Sequence, residues 1–353
     1  MSPAPSPVVF AWVGDLHLEE PGRPNHRAAH HLVEEIDAVV KPDFTQFPGD
    51  NVQHAREVEW PLFHELTGKL HGPWYALVGD HDAHHDGGCH AFRAEIGATH
   101  RAFSLKGFRF ILLNTHEFHP IGMSSAQALW FRYEVDTAID RGERVVVFQH
   151  HYPFKVGESY DGPGLAAWRE TVQTRPIVGV FTGHTHYGQI ANDGRNVYVA
   201  TRSVGDPEGG AAGYAVVRLD GDDLSIVRRT VDDRGPLVMI THPRNHVLCT
   251  SPKHIVAGPD EVRVHVWSKE PVTAAEMRLD GGAWAPLGAC GAGEWSGPIA
   301  GDRLAKGTHV LEARAIDSAQ AAGTDRITFQ VDRSGRFTSV PRVEPVVPET
   351  KYC

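Results

Sequence analysis

Aspartate and histidine residues recur in five short polar segments between residues 14 and 186. The segments are Gly14–His17, Gly49–Asn51, Gly79–Asp82, Gln149–His151 and Gly183–His186. Carboxylate oxygens and imidazole nitrogens together are ligands that manganese, iron and zinc accept in proteins. In Asp15-x-His17 and His184-x-His186 the side chains are two residues apart, so a locally extended backbone would direct both to one side. The segments therefore predict a metal site.

The candidate ligands outnumber those of a single tetrahedral zinc site, and this favours two ions. The candidates are Asp15, His17, Asp50, Asp80, His150, His184 and His186. The ions of a two-metal site are about 3.5–4 Å apart, a spacing that one carboxylate can bridge, and the central Asp50 is the candidate bridge. Manganese, iron or zinc would fit these donors. Two such ions can lower the pKa of a shared water, whose hydroxide would attack phosphorus in line.

An apolar run precedes each polar segment, and these runs alternate with helical patterns up to about residue 200. This alternation is typical of strands and helices layered over a sheet, and ligands bind at the carboxyl ends of such strands. Ser124 and Gln127 form a capping-box pattern that predicts the start of one helix. The predicted strands are Val8–Val13, Phe44–Phe47, Tyr75–Val78, Phe108–Leu113, Val145–Phe148 and Ile177–Phe181.

Helical patterns end near residue 195, and the last hundred residues have a different organisation. Prolines punctuate 232–260, and Val262, Val264 and Val266 then alternate with polar residues, which is typical of strands in a small sandwich. We therefore predict a first domain over 1–231, a linker over 232–260, a β-sandwich over 261–332 and an extended tail over 333–353.

The order of the five segments resembles the calcineurin-like metallophosphoesterase superfamily, which includes purple acid phosphatases, class III cyclic-nucleotide phosphodiesterases and glycerophosphodiesterases. The family pattern is Asp-x-His, Gly-Asp, Gly-Asn-His-Asp/Glu, a strand-ending His and Gly-His-x-His, and the resemblance covers about residues 8–230. It implies an α/β fold, with a four-layer α-β-β-α metallophosphoesterase domain. The small C-terminal β-sandwich is similar to immunoglobulin-like modules.

The resemblance assigns the candidate ligands to two ions. The first ion would be held by Asp15, His17 and His186 and the second by Asp80, His150 and His184, with Asp50 as the bridge. His81 would contact the substrate phosphate or protonate the leaving oxygen. Asn51 would meet the phosphate or form a turn, and His151 would line the substrate pocket. Asp80 departs from the pattern, because the family usually has Asn at this position.

The activity implied by the resemblance is hydrolysis of a small phosphodiester, cyclic or glycerol-linked, or of a phosphomonoester, by a metal-bound hydroxide. Two alternatives stay open at this point. One is a pyrophosphohydrolase of nucleotide-linked substrates, and the other is a non-catalytic metal-binding or interaction protein.

Loop histidines 84, 85, 90, 116 and 119 could overhang the site, but a solvated position is the expectation for each.

The chain of 353 residues has a formal net charge of −10, which argues against binding to a nucleic-acid duplex. Its apolar runs are too short to cross a membrane, and its first residues do not resemble a secretion signal. We therefore expect a cytoplasmic protein whose partner is a small phosphate ester. A homo-oligomer stays open.

Overall fold

The structure is a computed structural model that describes residues 6–83, 88–117, 121–153, 162–207 and 210–345. The strands, numbered in chain order, are β1 (Val8–Trp12), β2 (Phe44–Phe47), β3 (Trp74–Ala76), β4 (Arg101–Leu105), β5 (Phe108–Leu113), β6 (Arg144–Gln149), β7 (Ile177–Thr182), β8 (Gln189–Asn192), β9 (Val197–Ala200), β10 (Gly213–Asp220), β11 (Asp223–Thr230), β12 (Leu237–His242), β13 (Asp260–Trp267), β14 (Val272–Leu279), β15 (Ala285–Pro286), β16 (Gly288–Ala289), β17 (Glu294–Ile299), β18 (Gly307–Asp317), β19 (Ala322–Val331) and β20 (Arg342–Glu344). The six strands predicted up to residue 181 all form, with ends within two residues of the predicted bounds.

The helices cover the outer faces of the first two sheets. They are α1 (Pro24–Glu35), α2 (Trp60–Thr67), α3 (Asp80–Ala83), α4 (His90–Glu95), α5 (Ser125–Asp140) and α6 (Leu165–Thr174). A π-helical turn, Ile36–Val40, continues α1. The predicted cap of α5 is confirmed, because the Ser124 hydroxyl accepts a hydrogen bond from the Gln127 amide at 3.1 Å.

Two sheets make up the larger part of the molecule. The first has the strand order β11-β10-β1-β2-β3, and the second has the order β20-β8-β9-β7-β6-β5-β4. Parallel pairing joins β1 to β2 and β2 to β3 in the first sheet, and β5 to β6 and β6 to β7 in the second. The carboxyl ends of the parallel strands in each sheet therefore lie at one edge.

The two sheets pack face to face through aromatic side chains. Phe10 of the first sheet lies 5.3 Å and 5.5 Å, between ring centroids, from Phe148 and Phe181 of the second. A further core lies between the first sheet and α1 and α2, and another lies between the second sheet and α5 and α6. The layers are therefore helix, sheet, sheet and helix, and the predicted four-layer α/β fold is confirmed.

Two four-stranded sheets form the C-terminal β-sandwich, in the orders β12-β13-β17-β16 and β15-β14-β18-β19. The structure differs from the predicted linker here, since β12 lies within 232–260 and pairs antiparallel with β13. The side chains of β12 alternate between two cores. Val238 and Ile240 belong to the sandwich core, whereas Leu237 and Met239 pack into the core beneath α1 and α2. Apolar residues on both faces make this segment a buried strand.

The predicted extended tail also differs from the structure. Its residues 342–344 form β20, which pairs antiparallel with β8 at the edge of the seven-stranded sheet. The Gln189 side-chain amide donates to the carbonyl oxygen of Pro345 at 2.8 Å, which holds the segment after β20. Residues 346–353 of the predicted tail lie outside the described part of the chain.

Candidate metal centre

The five polar segments meet at one edge of the paired sheets. They follow β1, β2, β3, β6 and β7, which are parallel strands whose carboxyl ends face the same way. The structure collects the predicted ligands into two groups, and within each group the ligand atoms lie within 4.8 Å of one another. We name them group A (Asp15, His17, Asp50 and His186) and group B (Asp80, His150, His151 and His184).

In group A, imidazole nitrogens and carboxylates face one another. The Nε2 atoms of His17 and His186 are 3.1 Å apart. The Nδ1 atom of His186 lies 3.9 Å from a carboxylate oxygen of Asp206, which can orient the ring. Asp15 is fully buried, and its Oδ1 accepts a hydrogen bond from the His184 amide at 2.7 Å. Burial lowers the pKa of His17, which favours the neutral imidazole that a metal ion requires.

In group B, the imidazoles surround one carboxylate oxygen. The Oδ1 atom of Asp80 lies 3.2 Å from both His150 Nε2 and His184 Nδ1. Burial acts to raise the pKa of Asp80, but hydrogen bonds from these two imidazoles hold it well below its ordinary value. The Nδ1 atom of His150 lies 2.7 Å from the carbonyl oxygen of Pro48, to which it can only donate. The proton on Nδ1 is therefore fixed, and Nε2 is the His150 atom that faces Asp80 and is available to a metal ion.

Asp50 lies between the two groups. Its Oδ2 atom is 3.7 Å from His17 Nε2 in group A and 3.4 Å from His150 Nε2 in group B. Its Oδ1 atom accepts a hydrogen bond from the His81 amide at 3.0 Å. Burial acts to raise the pKa of Asp50, yet the neighbouring His150 holds it well below its ordinary value. One oxygen of this carboxylate thus faces both groups.

Five of the predicted ligands have left-handed backbone conformations, with φ between 48° and 68°. They are Asp15, His17, Asp50, His184 and His186. The expectation of a locally extended backbone is therefore wrong for Asp15-x-His17 and His184-x-His186. Left-handed conformations of residues other than glycine cost about 1–3 kcal/mol each and cluster at functional sites, where the surroundings hold them.

His151, which the resemblance places in the substrate pocket, lies with His150 in group B. β6 ends at Gln149, and the two histidines that follow lie in a bend. The ring centroids of His150 and His151 lie 5.1 Å and 4.5 Å from that of His184, so both rings belong to group B. Nδ1 of His151 is 2.7 Å from the Thr115 hydroxyl, a partner that sequence reasoning missed because threonine is not a metal-ligand type. Burial lowers the pKa of His151 well below its ordinary value.

Asn51 is enclosed between two loops, and this burial corrects the predicted phosphate contact. It is fully buried, and its Nδ2 atom donates to the Leu77 carbonyl oxygen and to Asp82, both at 2.9 Å. Asp82 also accepts hydrogen bonds from the backbone amides of Asn51, Val52 and Gly79. Asn51 and Asp82 therefore link the loop that follows β2 to the loop that follows β3. These hydrogen bonds hold the two loops in a fixed relative position.

His81 lies at the junction of the groups and is partly exposed. Its Nδ1 is 2.8 Å from the Gln53 carbonyl oxygen, so Nδ1 carries a proton. Its ring centroid is 4.5 Å from that of His17, and its Nε2 is 3.9 Å from Asp80 Oδ2. Burial acts to lower the pKa of His81, but the Asp50 carboxylate raises it overall. A protonated Nε2 can donate to a phosphate or a leaving oxygen.

The structure places the loop histidines that it describes in different surroundings. His116 stacks on His151 with a centroid distance of 6.2 Å, and His90 is exposed on α4. His84, His85 and His119 lie outside the described residues.

The residues of the two groups fit a pair of metal ions. Asp15 Oδ2 is buried and has no hydrogen-bond partner among the described residues, which is costly for a carboxylate oxygen unless a cation binds it. The donors combine carboxylates with imidazoles, and an acceptor fixes the tautomer of His150. Such outer hydrogen bonds are typical of metal-bound histidines.

We predict that Gly79→Ala destabilises the protein and damages the centre. A Cβ atom at Gly79 would overlap the carboxylate and backbone nitrogen of Asp50. We expect a loss of about 1–3 kcal/mol in the free energy of unfolding. A displacement of Asp50 by about 1 Å would also lower kcat about 100-fold. Urea unfolding and steady-state kinetics measure the two effects.

The matched control is Gly258→Ala, because a Cβ atom there has no neighbour within 4 Å. Wild-type kinetics in Gly79→Ala would contradict the proposed position of Asp50 in the active centre.

A family model for the calcineurin-like phosphoesterases matches residues 8–188, about half of the chain. The chain belongs to the calcineurin-like phosphoesterase family. The predicted resemblance and enzyme class, a metal-dependent phosphoric ester hydrolase, are therefore confirmed.

Among the described residues, no helix combines the length and the apolar character that a membrane span requires.

Two curated relatives align with about half of this calcineurin-like phosphoesterase. The "probable glycerophosphodiester phosphodiesterase" of Arcobacter nitrofigilis is 24% identical over 203 residues, which cover 51% of this chain and 72% of the relative. The "probable cyclic nucleotide phosphodiesterase" of Colwellia psychrerythraea is 25% identical over 198 residues, which cover 52% of this chain and 73% of the relative.

Solved structures support the same fold. A dimetal phosphatase from Danio rerio superposes with a TM-score of 0.55 at 12% identity, covering 63% of this chain and 96% of that chain. A purple acid phosphatase from yellow lupin seeds superposes with a TM-score of 0.50 at 11% identity, covering 65% of this chain and 52% of that chain.

Proposed function

We propose that this phosphoesterase hydrolyses small phosphodiesters, cyclic or glycerol-linked, at a dinuclear metal centre. The observation that carries the proposal is the position of Asp50, whose Oδ2 atom faces His17 of group A and His150 of group B. The names of the two curated relatives support a diester over a monoester. Manganese, iron and zinc all suit these donors.

The proposed ligand sets divide as the two groups do. Asp15, His17 and His186 would hold one ion, Asp80, His150 and His184 the other, and Asp50 both. Two such ions supply Lewis acidity at the phosphate oxygens and a lower pKa for bound water. The ring of His151, which the sequence assigned to the substrate pocket, lies close enough to Asp80 to join the second set, at 3.8 Å from its Oδ1 atom.

His81 has the proposed role of proton donor to the leaving oxygen. Its Nδ1 atom is held by the Gln53 carbonyl oxygen, which aims Nε2 at the junction of the groups. The Asp50 carboxylate favours the protonated ring. A positioned imidazolium of this kind assists departure of a poor leaving group.

The function is tested by hydrolysis of bis-p-nitrophenyl phosphate and p-nitrophenyl phosphate by metal-loaded protein, with metal content measured in parallel. We expect two ions per chain, a higher kcat/KM for the diester, and loss of activity on chelation that metal addition reverses. Equal or greater kcat/KM for the monoester would overturn the diester preference. A single ion at full activity would overturn the dinuclear centre.

We predict that Asp80→Asn retains both ions but changes turnover. The amide oxygen can still face His150 and His184, at the position that Asp80 Oδ1 now occupies 3.2 Å from each. Removing one negative charge should weaken binding of the second ion by about tenfold or more, and raise its Lewis acidity. We expect a higher kcat at saturating metal.

Metal titration followed by steady-state kinetics measures both effects. Asp140→Asn is the control, because it removes an exposed carboxylate at the end of α5. Loss of the second ion in Asp80→Asn at saturating metal would instead show that a carboxylate is required.

A further inference from the structure

A cleft lies at the opposite end of the seven-stranded sheet from groups A and B. It has a volume of about 510 Å³ and is lined by residues at the amino ends of β6 and β7 and by the segment 244–254. The candidate metal ligands follow the carboxyl ends of the same strands. Since each strand has six residues, the cleft lies about 20 Å from the metal centre.

The cleft is strongly basic. Its cationic side chains are Arg144, Arg175, Arg195, Arg244 and Lys253. The carboxylates in the lining are Glu143 and Asp222, so five positive and two negative groups leave a formal charge of +3. The chain as a whole has a net charge of −10. A local concentration of positive charge in an acidic protein attracts small anions to this cleft.

Arg244 is the buried arginine of this basic cleft. Its side chain is only 4% exposed, and its Nη1 atom donates to the Asp222 backbone carbonyl at 2.8 Å. Its Nε atom is buried without an acceptor, and no carboxylate pairs with the guanidinium among the described residues. Burial lowers the pKa of Arg244 from its ordinary value. The Asp223 and Asp222 carboxylates act on it only at longer range. A buried guanidinium without a direct carboxylate partner is costly, so a bound anion would stabilise it.

His254 adds a second donor beside Arg244. The Thr250 amide donates to its Nδ1 at 3.1 Å, and burial together with Arg244 lowers the pKa of His254 to about 4. The neutral ring therefore carries its proton on Nε2, which lies 3.0 Å from Arg244 Nη1. Two donors thus face each other, and an anionic oxygen beside them could accept from both.

The lining of the cleft also has apolar members. They are Ile139, Val145, Pro176, Ile177 and Val178. A lining that combines basic and apolar groups suits a small molecule that carries an anionic group on an organic part. Several cationic groups match the oxygens of a phosphate group better than the two oxygens of a carboxylate.

We propose that this basic cleft is a phosphate-binding site, distinct from the metal centre. The phosphate group is that of a small organic phosphate or of inorganic phosphate. Arg244 and Arg195 make the principal contacts, since ion pairs with Asp222 and Asp136 already engage Arg144 and Arg175. Because the cleft is about 20 Å from groups A and B, a ligand bound there does not contact the reacting phosphorus.

The test is isothermal titration of the full-length, metal-loaded protein with phenylphosphonate, whose carbon–phosphorus bond the enzyme does not hydrolyse, and with inorganic phosphate. We expect two binding events, one at each site. Arg244→Gln should weaken the event in the cleft at least tenfold and leave the other unchanged. Arg195→Gln should weaken the same event about threefold. Arg303→Gln is the control, because it removes an exposed arginine of the sandwich.

The two probes distinguish the sources of the phosphate group. Tighter binding of phenylphosphonate in the cleft supports an organic phosphate, and equal binding supports inorganic phosphate. The proposal is overturned if wild-type protein shows a single event that neither Arg244→Gln nor Arg195→Gln changes. It is also overturned if the neutral analogue benzyl alcohol binds in the cleft as tightly as phenylphosphonate. If Arg244→Gln does not fold, the titration of Arg195→Gln tests the proposal, because Arg195 is exposed.

Discussion

Asp50→Asn should lower kcat/KM for bis-p-nitrophenyl phosphate by about 1000-fold or more and reduce the bound metal below two ions per chain. The reason is the position of Asp50 Oδ2, 3.7 Å from His17 Nε2 and 3.4 Å from His150 Nε2. The substitution removes the one negative charge that both groups share. Steady-state kinetics and elemental analysis of the same preparation measure the two effects.

Asp43→Asn is the matched control for this experiment. Asp43 immediately precedes β2, at the opposite end of the strand from Asp50, and pairs with Lys106 at 2.7 Å. We expect it to keep both ions and nearly full activity. If Asp50→Asn retained two ions and wild-type kcat/KM, the proposed bridge would be wrong.

His81→Gln should lower kcat by about 100-fold to 10,000-fold for a diester with an alkoxide leaving group, while both ions stay bound. The loss should be much smaller for bis-p-nitrophenyl phosphate, because p-nitrophenolate departs without protonation. His81 contacts the centre through its backbone amide, which donates to Asp50 Oδ1, and glutamine retains that amide. Kinetics on the two substrates, with metal analysis, provide the measurement.

The exposed His31 of α1 supplies the control variant, His31→Gln. Equal losses for the two leaving groups in His81→Gln would instead favour a contact between His81 and the phosphate. Loss of an ion would give His81 a structural role at the centre.

The sequence was sufficient to predict where the candidate site lies in the fold. Apolar runs followed by short polar segments predicted strands whose carboxyl ends meet, and groups A and B lie at these ends. Gly49 illustrates why this works. Its φ of 112° lies in a region that other residues rarely adopt, and a Cβ there would overlap the His150 ring. The positive φ is a local requirement that glycine in the sequence signals, whereas the close approach of His150 is visible only in the folded structure.

The directions of individual side chains could not be predicted in the same way. Asp15 and His17 adopt left-handed conformations, which local sequence preferences disfavour and which the surrounding contacts must hold. The Ser203 hydroxyl, for example, donates to the Asp15 carbonyl oxygen at 2.8 Å across 188 residues of sequence. Asn51 was similarly assigned to the substrate because its buried partner, Asp82, comes from another loop. These features depend on tertiary contacts.

The two-faced strand β12 limits how the C-terminal sandwich can move. Leu237 and Met239 are buried against the catalytic layers, while Val238 and Ile240 are buried in the sandwich. Any hinge rotation of the sandwich would pull one of these pairs out of its core and expose it to water, at a cost of about 1.5–3 kcal/mol for each large side chain. Through this one strand, the sandwich is anchored to the catalytic layers of the enzyme.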